Sequence, residues 1–242
     1  MNALNLFLFV ALPYVALVVF LIGTIYRYRA VRFTYSSLSS EFLEKRALFF
    51  GVMPFHWGLL FLFFGHLIAF LIPRGVLAWN GDPVRLLILE VAAFAFGLSV
   101  LYGLVVLFVR RLTRPRIRVV TNVMDVVILA LLIAQAVLGI WTALAFRWGS
   151  SWFAAVLTPY LRSLFILNPD VAAVGALPWV VKLHVVGAFL LVLLIPFSRL
   201  AHLLVVPLPY LWRPYQRVIW YWNKEKVRDP HAGWTVTKPE NT

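Results

Sequence analysis

The chain has 242 residues, 63% of them hydrophobic and only 13% charged, which is more apolar surface than a water-soluble domain of this size can hide, so lipid must be the solvent for much of it. The net charge of +13 raises nucleic acid as a partner, but the basic residues fall in short clusters between apolar runs, as topology signals do, and no nucleic-acid partner is expected. The absence of cysteine excludes disulfides, covalently attached c-type haem and iron–sulfur clusters held by this chain.

Five apolar runs reach the ~20 residues needed to cross ~30 Å of hydrocarbon. The expected fold is therefore all-α, an integral membrane bundle of five transmembrane helices over residues 1–215, followed by a tail over 216–242. The first run, Leu4 to Ile25, has neither a basic leader nor a small-residue cleavage site and reads as a retained helix. Arg27, Arg29, Arg32, Lys45 and Arg46 follow it. The second run, Ala47 to Ile72, contains FHWGLLFLFFGHLIAFLI, with His56 and His66 ten residues apart. Only Arg74 and Arg85 lie between it and the body of the third run, Val84 to Val109, where Glu90 sits about one turn inside the membrane. Arg110, Arg111, Arg114, Arg116 and Arg118 come next. The fourth run, Val123 to Phe146, begins after Thr121 and Asn122 with Asp125, which resembles helix N-terminal chemistry, and carries Gln135 at mid-membrane, expected to bond a neighbouring helix.

After Arg147, the segment SWFAAVLTPYLRSLFIL tempts a sixth span, but Pro159 and Arg162 fall at its middle, and an interfacial helix on the outer surface is the better reading. The fifth run, Val180 to Val206, holds Lys182, His184, Arg199 and His202. A tail with six further basic residues follows. Because the basic clusters alternate with sparse loops, the N-terminus is expected outside and the tail in the cytoplasm.

Of five histidines, His231 is in the polar tail and the other four lie two on the second run and two on the fifth. A lone intramembrane histidine most often makes an interhelical hydrogen bond. Four in a two-plus-two pattern on antiparallel helices suggest two bis-histidine sites, His56 with His202 in the cytoplasmic half and His66 with His184 in the outer half. Along straight helices the pairs would be separated by ~15 Å and ~27 Å, too far for one metal. Eighteen residues put His184 and His202 on one face of a continuous helix, whereas ten leave His56 and His66 roughly 80° apart, and the unequal spacings leave ~6 Å of offset at each end. The natural occupant is b-type haem, held by two imidazoles with its ring edge-on between helices. Gly58, Gly65, Gly97, Gly103, Gly139 and Gly187 offer space for such a ring or for ordinary helix packing. Arg110, Arg111 and Arg199 on the inner side, and Arg74, Arg85 or Lys182 on the outer side, could pair with anionic propionates.

These residues carry a resemblance. VFLIG (Val19 to Gly23), SSLSSEFLEKR, the FH and GH of His56 and His66, RRLTRPRIR, LHVVG at His184 and PFSRLAH at His202 together resemble the gamma subunit of membrane-bound respiratory nitrate reductase, a dihaem cytochrome b that oxidises quinol. The resemblance implies two haem b groups, the inner on His56 and His202 and the outer on His66 and His184. It implies a site for menaquinol or ubiquinol beside the outer haem, near His66 and Gly65. At the place of a family lysine stands Arg85, which can hydrogen-bond a quinol oxygen but does not exchange protons as lysine can. Glu90 is the candidate acceptor for protons released outward. The implied partners are an iron–sulfur beta subunit and a molybdenum-containing alpha subunit on the cytoplasmic side of a bacterial or archaeal inner membrane. Two other readings compete. One is a related cytochrome b of a sulfite-reduction or heterodisulfide-type complex, and the other is a proton channel or transporter that relays protons through its histidines.

Overall fold

The structure is a computed structural model and describes residues 3–31, 40, 43, 44 and 46–204. The expected tail over residues 216–242, His231 and most of SSLSSEFLEKR lie outside them. The described residues contain no β-strand and five helices long and apolar enough to span a membrane. We label them α1 (Ala3–Ala30), α2 (Arg46–Leu71), α3 (Pro83–Thr113), α4 (Val123–Ala145) and α5 (Trp179–Leu194, its apolar stretch continuing to Phe197). Between 11% and 33% of each apolar window is buried, and large side chains such as Phe61, Phe64, Ile88 and Val91 point outward. Water would not tolerate that surface, and lipid does. The chain is a multi-pass membrane protein.

Caps and prolines set the helix boundaries. The Asp82 carboxylate accepts from the amides of Val84 and Arg85, starting α3 behind Pro83. Asn122 and Asp125 form a reciprocal capping box at the start of α4, so the N-terminal reading of Asp125 holds. Pro13 has no N–H for the carbonyl of Phe9, one turn earlier, and a π-helical turn, Phe7–Ala11, precedes it. The Tyr160 hydroxyl donates to that carbonyl at 2.9 Å. Pro73 similarly strands the carbonyl of Ala69, which accepts from the Thr158 hydroxyl at 3.2 Å. Both hydroxyls come from the helix Thr158–Phe165.

The segment from Ser151 does not span, and it is more deeply engaged than a surface helix. Leu157, Tyr160 and Leu164 are buried with Phe9, Val171, Val174, Val181 and Val185, while Arg162 donates to the carbonyls of Phe70 and Leu71 that end α2. It closes one end of the bundle. The opposite end carries the arginine cluster and is called the basic end below.

Helix α2 packs along α3, α3 on α4, α4 on α5, and α5 on α1. Between α2 and α5 there is no extended contact. The α2–α3 crossing is close because a Cβ on Gly58 would stand 2.8 Å from the Phe96 carbonyl oxygen, and one on Gly103 would stand 2.6 Å from that of Gly51. Gly58 and Gly103 are therefore explained by helix packing and not by space for a ring.

One expectation fails outright. The fifth run is not one helix to Val206: α5 ends at Leu194, a 3-10 turn spans Ile195–Phe197, Ser198 is extended, and a second 3-10 helix, Arg199–Leu204, carries His202. The break follows from Pro196, which cannot donate and clashes with the preceding turn. It is held by Arg27 of α1, whose guanidinium donates to the carbonyls of Pro196 and Ser198, both at 2.7 Å. His184 and His202 consequently do not share a face of one helix, and the straight-helix spacing that left ~6 Å of offset does not apply.

Candidate cofactor sites within the bundle

The gap left between α2 and the segment after α5 contains a cavity of about 500 Å³ at the basic end, within the ~300–1,000 Å³ typical of cofactor sites. Its wall includes His56, His202, Arg110, Arg111, Asp125 and Arg199. The imidazoles of His56 and His202 have their ring centres 6.5 Å apart. A metal-bound imidazole nitrogen lies ~2.0 Å from its metal and the ring centre roughly 1.2 Å behind it, so two rings on opposite sides of one metal have centres ~6.4 Å apart. The two values agree.

Backbone contacts orient both rings. His56 Nδ1 is 2.9 Å from the carbonyl oxygen of Val52, and His202 Nδ1 is 2.6 Å from that of Arg199. A carbonyl can only accept, so each Nδ1 carries a proton, and in the neutral ring this leaves the lone pair on Nε2. A neutral imidazole whose Nδ1 is tied back in this way is the form that binds a metal through Nε2. His66 has the same arrangement, with Nδ1 2.7 Å from the Leu62 carbonyl oxygen.

At the other end of the bundle, His66 stands edge-on to Phe153, ring centres 5.2 Å apart, and Gly65 has no heavy atom within 4 Å of where a Cβ would be. His184 lies on α5, which packs on α4. Its backbone carbonyl accepts from Gln135 at 2.8 Å, as the mid-membrane position of Gln135 suggested. Its Cε1 is 3.1 Å from the Cβ position of Gly139, and its buried Nδ1 has no hydrogen-bond partner among the described residues. An orphaned buried imidazole nitrogen costs ~1–3 kcal/mol and is the kind of atom a bound group satisfies. Among the described residues no three histidines, cysteines or carboxylates converge on one point.

The arginines at the basic end are tightly engaged. Arg110 is buried and bonds Glu44 Oε2 at 2.6 Å, the Ser40 hydroxyl at 3.0 Å, and the carbonyls of Ser40 and Glu44. Burial opposes ionisation of Glu44, but the Ala47 amide, the Arg110 guanidinium and the Leu48 amide outweigh it and hold the carboxyl below its ordinary value. Arg111 and Arg199 flank Asp125, at 2.8 Å to Oδ2 and 2.6 Å to Oδ1. The spacing of the basic residues located these three arginines. It did not reveal that Asp125 joins two of them, although a lone carboxylate opening an apolar run beside five arginines was the available signal.

The remaining candidates lie at the far end. Arg85 holds its guanidinium 5.2 Å from the Trp79 ring centre. Glu90 Oε1 accepts from the Ser150 amide at 2.9 Å and hydroxyl at 2.6 Å, and Asn80 donates to the hydroxyls of Ser150 and Ser151. No hydrogen bond or ion pair among the described residues joins Arg85 or Glu90 to His66.

Five membrane helices, with His56 and His202 facing one another across a cavity near one end of the bundle, define a class, the membrane subunits that hold cofactors between helices. The sequence narrows it. Residues 5–221 match the family described as nitrate reductase gamma subunit. The chain is 35% identical over 208 residues to the nitrate reductase gamma chain of Bacillus subtilis (strain 168), covering 84% of this chain and 93% of that one. It is also 35% identical over 223 residues to the respiratory nitrate reductase 1 gamma chain of Escherichia coli (strain K12), covering 90% and 98%. A nitrate reductase-like protein of Mycobacterium tuberculosis is 31% identical over 233 residues, which are 92% of this chain and 35% of that protein. The chain belongs to the nitrate reductase gamma subunit family, and is a membrane subunit of an oxidoreductase complex.

Proposed function

We propose that this chain oxidises quinol near the outer face of the membrane and delivers the electrons to an iron–sulfur beta subunit, which with a molybdenum-containing alpha subunit completes the reductase on the cytoplasmic side of the inner membrane. The observation that carries the reading is the 6.5 Å separation of the His56 and His202 rings, with both Nδ1 atoms tied to carbonyls. Two b-type haems, the inner on His56 and His202 and the outer on His66 and His184, would supply the one-electron chemistry that no side chain of this protein provides.

The rest is the work of the chain's own groups. The carbonyls of Val52, Leu62 and Arg199 orient the imidazoles so that Nε2 faces its ligand. Arg111, Arg199 and Arg110 place positive charge on the wall of the inner cavity, where carboxylate side arms of a cofactor find partners. The open position beside Gly65 gives a flat quinol ring access to His66. Arg85 is the candidate donor to a quinol oxygen. Glu90 is the candidate proton acceptor on Oε2, because its other oxygen is held by the Ser150 amide and hydroxyl. With the N-terminus outside and the tail cytoplasmic, as the basic loops favour, that proton leaves on the outer side.

The test compares two electron donors in the assembled complex. His66→Tyr or Arg85→Ala should slow quinol oxidation, while a dye that reduces the cytoplasmic partner directly still supports nitrate reduction. Unchanged quinol kinetics in both variants reject the outer site.

A further inference from the structure

The ionised cluster on the inner cavity contains one residue with a role that neither helix capping nor ligation describes. Asp125 is 7% exposed. Its Oδ1 meets Arg199 Nε at 2.6 Å, its Oδ2 meets Arg111 Nη1 at 2.8 Å, and Oδ2 also accepts from the Asn122 amide at 3.2 Å. It therefore ties the start of α4 to the end of α3 and to the 3-10 helix Arg199–Leu204. Arg199 is the residue whose carbonyl oxygen accepts from His202 Nδ1 at 2.6 Å. Its guanidinium additionally reaches the Val120 carbonyl at 3.1 Å. One carboxylate thus anchors the segment that aims the inner histidine.

The same carboxylate sets the charge of the cavity. Among the described residues, three guanidiniums, Arg110, Arg111 and Arg199, stand against two carboxylates, Glu44 and Asp125, in these ion pairs, leaving one net positive charge. Glu44 pairs with Arg110, and Asp125 pairs with both of the others. Because Asp125 and Arg110 are buried and their partners partly so, these charges are only partly screened by salt and act on whatever occupies the cavity.

We propose that Asp125 is a positioning residue for the inner redox centre, fixing His202 through Arg199 and lowering the centre's reduction potential by offsetting Arg111 and Arg199. This rests on the reading that His56 and His202 hold a haem. Additional positive charge favours the reduced form, so neutralising Asp125 must raise the inner potential and neutralising Arg111 must lower it. One unit of charge at a separation on the order of 10 Å, in an effective dielectric of ~20, changes the reduced-to-oxidised ratio at fixed ambient potential by roughly tenfold or somewhat more.

The experiment is an optical redox titration of both haems in membranes containing the assembled complex, with the inner centre assigned as the one lost in His202→Tyr. Wild type showing no b-type haem would defeat the underlying reading and leave no titration to interpret. With two haems present, Asp125→Asn should shift the inner midpoint upward by the equivalent of about tenfold and leave the outer one in place, Arg111→Gln should shift it downward, and Asp125→Glu should keep it near wild type. An unmoved inner midpoint in Asp125→Asn, or equal shifts of both centres, overturns the proposal. If Asp125→Asn fails to retain the inner haem, the Arg111→Gln midpoint decides. If neither retains it, retention in Asp125→Glu alone assigns the role to the charge, and loss there too overturns it.

Discussion

Gly139 offers the sharpest structural test of the outer site. A Cβ added there would lie 3.1 Å from His184 Cε1, which is 0.3 Å short of the 3.4 Å at which ordinary contact begins. The ring has little freedom to yield, because the backbone carbonyl of His184 is held by Gln135 at 2.8 Å and the next turn of α5 is packed on α4, where a Cβ on Gly187 would collide with Gln135 Oε1. Over-packing of this kind costs ~1–3 kcal/mol, or roughly 5- to 150-fold in an equilibrium constant. Gly139→Ala should fall at the low end, leaving the outer haem partly occupied, and Gly139→Val at the high end or beyond, emptying it. The inner pair lies at the other end of the bundle and should be unaffected. Pyridine haemochrome assay of the purified complex should then read close to one haem per chain in Gly139→Val, with His56 and His202 still occupied. Two haems with wild-type midpoints in that variant would refute the placement of His184 as a ligand.

Three further expectations follow from named contacts. Arg27→Ala removes both donors from the carbonyls of Pro196 and Ser198, so it should lower thermal stability by ~1–3 kcal/mol and reduce inner haem content, with Arg27→Lys intermediate. Tyr160→Phe leaves the Phe9 carbonyl without its hydroxyl donor. It should cost ~1–2 kcal/mol in thermal melts and cost less in a Pro13→Ala background, where a backbone N–H is restored. Glu44, held below its ordinary value of 4.5 by the Ala47 amide, Arg110 and the Leu48 amide against partial burial, contributes stability that is complete above that value and is lost as the pH falls below it. Melting curves across that range should show the loss in wild type, and Glu44→Gln should make it smaller.

How far these features were legible in the sequence differs along the chain. Helices α2, α3 and α4 were plain because long apolar runs bounded by caps and charges have few alternatives, and their starts at Arg46, Pro83 and Val123 fall within a residue of expectation. The fifth segment misled for the same reason: Ile195, Pro196 and Phe197 are apolar, so hydropathy continued through a backbone break that only proline chemistry marks. The four histidines announced themselves, since each is out of place in hydrocarbon. Their supports did not. Which nearby carbonyl accepts from the Nδ1 atoms of His56, His66 and His202 is a matter of local side-chain rotamer, and that Gly139 faces His184 and Phe153 lies beside His66 depends on how α2, α4, α5 and the segment after α4 come together. Gly58, two residues from His56, and Gly103 on the third run show the converse case, small residues that offered space for a cofactor ring and whose contacts are with the neighbouring helix.

The most direct test of the central claim is the haem content of the chain and of its four histidine variants. Quantitative pyridine haemochrome analysis of wild type should give two b-type haems per chain, with His56→Ala or His202→Ala removing one component of the redox titration and His66→Ala or His184→Ala removing the other. A stoichiometry of one, or removal of the same component by His56→Ala and His66→Ala, would contradict the pairing of α2 with the segments that carry His184 and His202.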